Sequence, residues 1–263
     1  MRCRWLGWAG VELEADGERI VIDPLGDPAA LYRVLGDAAS GVRLPSVVEP
    51  TTERAALAAL VTHLHRDHAD APALAKTLAP GAPVLLPELK YNSPGVAQAV
   101  HEFAKETLNL RPTSAWETVE VGPFTITALP AADGTGEEQL SWAIEADGTR
   151  IVHCGDTVFH GWWWRAAEQA GPFDVAFLPV NGAVVNFPWR QPASPLPAAM
   201  DPDQAVVAAS ALGAKRTVPI HFDGFDLDPH YHSIPEANRR FHEAATRAGV
   251  RTLAPEIGAV FEL

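Results

Sequence analysis

Between Val61 and Asp70 the chain reads Val-Thr-His-Leu-His-Arg-Asp-His-Ala-Asp, three imidazoles and a carboxylate within six residues, directly after an apolar segment that reads as a buried strand. Side chains alternate along an extended segment, so His63 and His65 share one side and Leu64 takes the other. Two imidazoles on one face can share a metal ion. Asp67 and His68 fall where the chain turns toward a helix; they point elsewhere and can hold a second ion. Asp70 is an N-cap for a helix over Ala71–Leu78. The plain alternative is a solvated histidine-rich loop, but three histidines at this spacing behind a buried strand have no packing rationale.

The surrounding sequence is that of a globular protein with ample core. Hydrophobic residues make up 47% and charged ones 20% of the 263, which excludes wholesale disorder and needs no disulfide staples. Cys3 and Cys154 have no metal-binding spacing and read as small buried apolar residues in a reducing compartment. Thirty-three acidic residues against 20 Lys and Arg leave a net charge of −13, a field that repels phosphate backbones, so nucleic acid is not an expected partner. No apolar run approaches the length of a spanning helix, so no membrane partner is expected either. Glu12, Glu14 and Asp16 occupy the place where a signal peptide would carry its apolar stretch, which points to the cytoplasm.

Along the chain, Arg4–Leu6, Val11–Ala15 and Arg19–Ile22 read as short strands, with a hairpin turn at Ala15-Asp16-Gly17. Residues 25–50 are loosely patterned and read as an insertion or lid. Paired strands follow at Thr118–Val121 and Phe124–Leu129, and again at Leu140–Glu145 and Arg150–Cys154. Asp174–Val180 is a further strand, Pro202–Leu212 a helix, Thr217–Ile220 a strand and Pro235–Ala248 a helix. Closing strands are expected at Arg251–Leu253 and Ala259–Leu263. A Pro-rich loop over about 186–200 is long enough to be mobile or functional. Strand–strand–helix alternation in both halves, without a linker, fits a single domain of residues 1–263, sheets inside and helices outside.

The run His63-x-His65-x-Asp67-His68 resembles the H-x-H-x-D-H signature of the metallo-β-lactamase fold. Gly155-Asp156-Thr157 looks like that family's G-D-T segment, and Pro219-Ile220-His221 like its last ligand loop. Trp5-Leu6-Gly7 through Val21-Ile22-Asp23-Pro24 is similar to the opening hairpin of the branch that includes ascorbate-phosphate lactonase-like proteins. Leu178-Pro179-Val180-Asn181-Gly182 and Met200-Asp201-Pro202 strengthen that link. The resemblance spans residues 1–225. It implies an α+β fold, the αββα sandwich of two central mixed sheets with helices on the outer faces. It also implies two divalent ions, zinc or manganese with iron as a further option, held by His63, His65, Asp67, His68, Asp156 and His221. Asp156 would bridge the ions, and Asp67 would bind the second ion and orient the nucleophile, a shared water deprotonated near neutral pH.

One departure stands out. The family usually supplies a third histidine to the first ion from a loop before the G-D-T strand, and here that place reads Leu129-Pro130-Ala131-Ala132-Asp133-Gly134. Asp133 is the expected replacement, since a carboxylate also binds divalent cations; an ordinary Asp-Gly turn is the alternative. With Asp133 in place, three carboxylates and a bridging hydroxide neutralise two divalent ions, and the added oxygen ligand favours harder metals such as manganese or iron.

Other residues are weaker candidates. His160, four residues after Asp156, is a catalytic residue at the pocket rim or simply a surface residue. His153 reads as packed or supporting the ligands. His230 and His232 are substrate contacts, a proton donor or simply surface residues, and His101 and His242 read as solvated. The Trp162-Trp163-Trp164 block is core or pocket wall, Phe187 and Trp189 can close over the pocket, and Arg66, Lys90, Arg165 and Arg190 are anion contacts that nothing ranks. The expected function is hydrolysis of a small molecule: a lactone, cyclic amide, ester or phosphodiester. The alternatives are an iron-dependent oxidoreductase, whose relatives carry an acidic residue where this chain has His65, and a binding protein with an incomplete metal site. Self-association into a homo-oligomer is left open.

Overall fold

The computed structural model describes residues 1–30, 41–53, 55–90 and 93–263. It opens with an antiparallel meander of β1 (Arg2–Gly7), β2 (Gly10–Ala15) and β3 (Glu18–Ile22). Asp16 (φ 49°) and Gly17 (φ 78°) make the turn between β2 and β3, the paired left-handed conformation whose twist suits a two-residue hairpin. The chain continues through β4 (Ala58–Leu60), α1 (Ala71–Thr77), β5 (Pro83–Pro87), α2 (Pro94–Lys105) and β6 (Asn109–Thr113). Strands β3 to β6 pair in parallel, as short strands linked by crossovers must.

A second set repeats this plan. An antiparallel run of β7 (Thr118–Val121), β8 (Phe124–Pro130), β9 (Leu140–Ala146) and β10 (Thr149–His153) leads into α3 (Trp163–Ala170) and β11 (Val175–Pro179). After the two-residue β12 (Val184–Val185) come α4 (Pro202–Leu212), β13 (Arg216–Ile220), β14 (Tyr231–His232), α5 (Ala237–Ala248) and β15 (Val260–Glu262). Strand orders are β15-β1-β2-β3-β4-β5-β6 in one mixed sheet and β13-β11-β10-β9-β8-β7 in the other, with β12 and β14 as a separate ribbon.

Period-two alternation sorts side chains into three apolar layers. Ile20, Ile22, Leu60 and Leu85 of the first sheet meet Phe124, Ile126, Trp142, Ile144, Phe177 and Val218 of the second between the sheets. Their neighbours Val21, Ala59, Val84 and Leu86 face the other way onto α1 and α2. Ala143, Val152, Ala176 and Leu178 likewise pack on α3, α4 and α5. The result is the α+β sandwich, helix–sheet–sheet–helix, that the motif resemblance implies. Asp70 caps α1 through the Ala73 amide, and Asp201 caps α4 in a reciprocal box with Gln204.

Several expectations shift in detail. Helix α2 and strands β5 and β6 lie in a stretch where sequence patterning gave no assignment. Arg251–Leu253 is no strand; only Thr252 bridges to Thr217. Of the expected insertion, residues 31–40 lie outside the described residues. The 41–50 part runs along the sandwich, with Val48 N donating to Leu6 O (2.9 Å) and Arg43 N to Asp226 O (3.2 Å). No described helix is long and apolar enough to cross a membrane.

Trp142 is fully buried between the sheets, so Trp142→Ala should cost about 3–5 kcal/mol in chemical denaturation. The exposed Val207 of α4 serves as control, and Val207→Ala should stay within about 0.5 kcal/mol.

Candidate metal centre

The histidine run leaves β4 at the carboxyl end of the strand, where open α/β sheets present their ligand sites. Backbone bonds fasten the two sheets together there: Leu140 N donates to Thr62 O (2.8 Å) and His221 N to Trp8 O (3.1 Å). Seven side chains converge in two groups. His63, His65, Asp133 and Asp156 bring ligand atoms within 4.8 Å of one another, and so do Asp67, His68 and His221. Asp156 faces both, with Oδ1 3.5 Å from His63 Nε2 and Oδ2 4.0 Å from His68 Nε2. The six residues read from the motifs, and Asp133 as the expected replacement, therefore come together.

The imidazoles are oriented from behind. Asp23, wholly buried at the end of β3, accepts from Thr62 N (2.8 Å) and Thr62 Oγ1 (2.6 Å), and from His68 Nδ1 (2.8 Å). That fixes the His68 tautomer and leaves Nε2 facing His221 Nε2 at 3.2 Å and Asp67 Oδ2 at 3.5 Å. Trp8 donates Nε1–H to Asp67 Oδ2 (2.8 Å) and packs its ring 3.8 Å from that of His221. Gln139 Nε2 donates to Asp156 Oδ1 (2.9 Å). Trp8, Asp23 and His221 all adopt positive φ (50°, 43° and 60°), strain that non-glycine residues carry only where surrounding contacts enforce it. Gly155, at φ 61°, is required twice, since a Cβ there would lie 2.8 Å from Thr62 Oγ1.

The donor set fits divalent ions. Burial pushes His63 well below the usual imidazole range, and His68 and His65 add to that, so its Nε2 offers a lone pair. Burial would also lower His68, but Asp67, Asp23 and Asp156 outweigh it and raise it to about 10; the pocket favours positive charge at this spot. Burial alone would raise Asp67; His68 and His221 overcome it and hold the carboxyl well below its ordinary value. Asp133 divides its two oxygens between two tasks. Oδ2 accepts from Thr135 Oγ1 (2.6 Å) and Glu137 N (2.8 Å), closing the loop, while Oδ1 is buried with no hydrogen-bond partner. A buried carboxylate oxygen left without a donor suits a cation, and Oδ2 lies 4.0 Å from His65 Nε2. Gly134 serves a close approach rather than a left-handed turn: a Cβ there would meet Ala198 Cα at 2.3 Å.

Other expectations fare differently. His160 is not at the rim. The chain folds it onto Trp163, rings 4.0 Å apart and 12° from parallel; Nδ1 accepts from Trp162 N (3.1 Å), and burial lowers it to about 4. It does not line the cavity. His153 is packed, with Nε2 on Ala9 O (2.8 Å). His230 donates from Nδ1 to Asn186 O (3.0 Å), and His232 lies 3.4 Å from both Asp226 and Asp228. His242 is half-buried and reaches Thr252 Oγ1 (2.8 Å), whereas His101 is exposed. Trp163 is core, and Arg165 sits over the Trp116 ring at 5.0 Å. Lys90 pairs with Glu88 (3.1 Å). Sequence reasoning missed the supporting work of Asp23, Trp8 and Gln139. Asp23 was visible in the opening motif, but only the fold brings its carboxylate behind His68.

A family model for the β-lactamase superfamily domain matches residues 18–222. The chain belongs to that family. It is 27% identical over 235 residues to a Thermococcus onnurineus protein described as a metal-dependent hydrolase, covering 85% of each. The fold is shared with a metallo hydrolase from Ignicoccus hospitalis (TM-score 0.66, 18% identity, 100% of this chain and 98% of that one). It is shared as well with CmlA, a diiron β-hydroxylase from Streptomyces venezuelae (TM-score 0.72, 15% identity), of which this chain covers 54% and is itself covered completely.

Asp23→Ala would strand two donors of Thr62 and one of His68 in a dry interior. The expected loss is on the order of 3 kcal/mol in denaturant titration; a change below about 0.5 kcal/mol would contradict the orienting role assigned to this carboxylate.

Proposed function

We propose that the chain is a metal-dependent hydrolase of a small molecule bearing a lactone, cyclic amide, ester or phosphodiester bond. His63, His65, Asp133 and Asp156 would hold one divalent ion, and Asp67, His68 and His221 the other, with Asp156 shared. The observation that carries this reading is the reach of Asp156, whose two oxygens face the two histidine groups at 3.5 and 4.0 Å. Bound there, two divalent ions would supply Lewis acidity toward a carbonyl or phosphoryl oxygen and lower the pKa of a coordinated water toward neutrality.

The chain's own residues do the rest. Asp23 holds the His68 ring so that Nε2 is the free nitrogen, and Trp8 pins one oxygen of Asp67. Asp67, kept ionised by His68 and His221 and lining the cavity, is the hydrogen-bond acceptor suited to orient the attacking water. His160 has no part in this reading. The relative described as a metal-dependent hydrolase agrees with it, and the hairpin and Leu178–Gly182 motifs favour ring-opening chemistry. Zinc and manganese are the metals that suit the mixed nitrogen and oxygen donors. His65 stands in the first group with its Nδ1 2.7 Å from His63 Nε2, which argues against an iron oxidoreductase, whose relatives carry an acidic residue at that position.

Elemental analysis of protein purified without added metal tests the centre. Two equivalents of zinc or manganese, lost together with hydrolysis on His63→Ala, are the expected result; iron alone would favour the oxidoreductase, and no metal at all a binding protein. Asp133→His adds one unit of positive charge and a softer donor, so the zinc-to-manganese ratio recovered should rise. Unchanged metal content would remove Asp133 from the ligand set.

A further inference from the structure

We propose that the cavity above this centre selects uncharged substrates bearing a planar apolar group and discriminates against anions. This deepens the hydrolytic reading and rests on it for turnover. The cavity has a volume of about 260 Å³. Leu64, Val185, Phe187, Trp189, Phe225 and Tyr231 supply much of its wall. Phe187 and Trp189 stack with ring centroids 4.9 Å apart and planes 4° from parallel. Trp189 is nonetheless 64% exposed. A large indole left in water at the edge of a cavity has apolar surface to gain from a flat ligand laid against it.

Charge points the same way. Among the described lining residues only Arg66 and Arg190 carry guanidinium groups, and both already face carboxylates. Arg66 lies 3.2 Å from Asp70 and 3.2 Å from Glu102. Arg190 lies 3.4 Å from Glu137 and donates to Thr135 O. The Asp70 and Glu137 side chains are only 2% and 5% exposed, so both stay beside the guanidinium groups, and an anionic substrate would meet cations whose charge a buried carboxylate already offsets. The carboxylates of Asp67, Asp133 and Asp156 would offset three of the four charges that two divalent ions bring. Little positive charge is then left to attract an anion, in a chain whose net charge is −13. Of the bonds open to the hydrolytic reading, neutral aryl esters, lactones and cyclic amides fit this cavity, and phosphodiesters do not.

The metal-loaded protein should be given 4-acetoxybenzamide and 4-acetoxybenzoate, which share an acetyl ester and differ in charge at the far end of the ring. The neutral ester should have a kcat/KM at least about tenfold higher. Trp189→Ala should raise KM for the benzamide about tenfold. Glu137→Gln keeps the backbone donor to Asp133, releases Arg190 and should narrow the charge preference. Calorimetric binding of 2-naphthamide, to wild type and to Trp189→Ala, reads the wall without turnover. Binding that depends on Trp189 alongside no hydrolysis of any ester would support the wall and defeat the hydrolytic reading. Equal or faster turnover of the benzoate, or naphthamide binding undiminished in Trp189→Ala, would overturn the present proposal.

Discussion

A single carboxylate behind the histidine loop, that of Asp23, receives the Thr62 amide, the Thr62 hydroxyl and the His68 ring nitrogen. In the dry space between two sheets such bonds are strong and their loss is costly, because no water can replace a missing partner. The loop that follows β4 therefore has one orientation, and His63, His65 and His68 project into the centre as a consequence. The same carboxylate decides which nitrogen of His68 is available. Ligand geometry in this protein is thus a property of β3 as much as of the loop that carries the ligands.

Backbone strain also marks this end of the sandwich. Trp8, Asp23 and His221 each take a left-handed backbone conformation, at an order of 1–3 kcal/mol apiece. Each also bonds across to another part of the centre: Trp8 to Asp67, Asp23 to His68, and His221 to the Trp8 carbonyl. The apolar layers between and outside the sheets supply the stability against which these local costs are set. The regular pairing of β8 with β9 and of β2 with β3 continues undisturbed behind this edge.

Much of this was legible in the sequence for identifiable reasons. Strands with clean period-two alternation, such as Leu140–Glu145, and helices with explicit caps, such as Pro202–Leu212, were read almost to the residue. The candidate ligand residues on short loops after strands stood out because their spacing has no packing explanation. The α2 region was not assigned, since its single sequence lacks a distinctive start beyond Ser93-Pro94, whose capping bond to Val96 only the structure displays. His160 was misjudged because sequence proximity to Asp156 says nothing about the turn that sends its ring onto Trp163. Asp133 illustrates a different limit: turn and ligand looked like rival explanations, yet Oδ2 closes the loop while Oδ1 is left without a hydrogen-bond partner.

The contact of Gly134 with the backbone of Ala198 couples two regions that are far apart in the chain. The segment bearing Asp133 rests directly on the stretch that also carries Trp189 and Arg190, and Arg190 reaches back to Thr135 and Glu137. The entrance of the cavity and the loop beneath it are consequently not free to change independently. A mutation that reshapes the entrance for a bulkier compound would press on the Asp133 carboxylate as well.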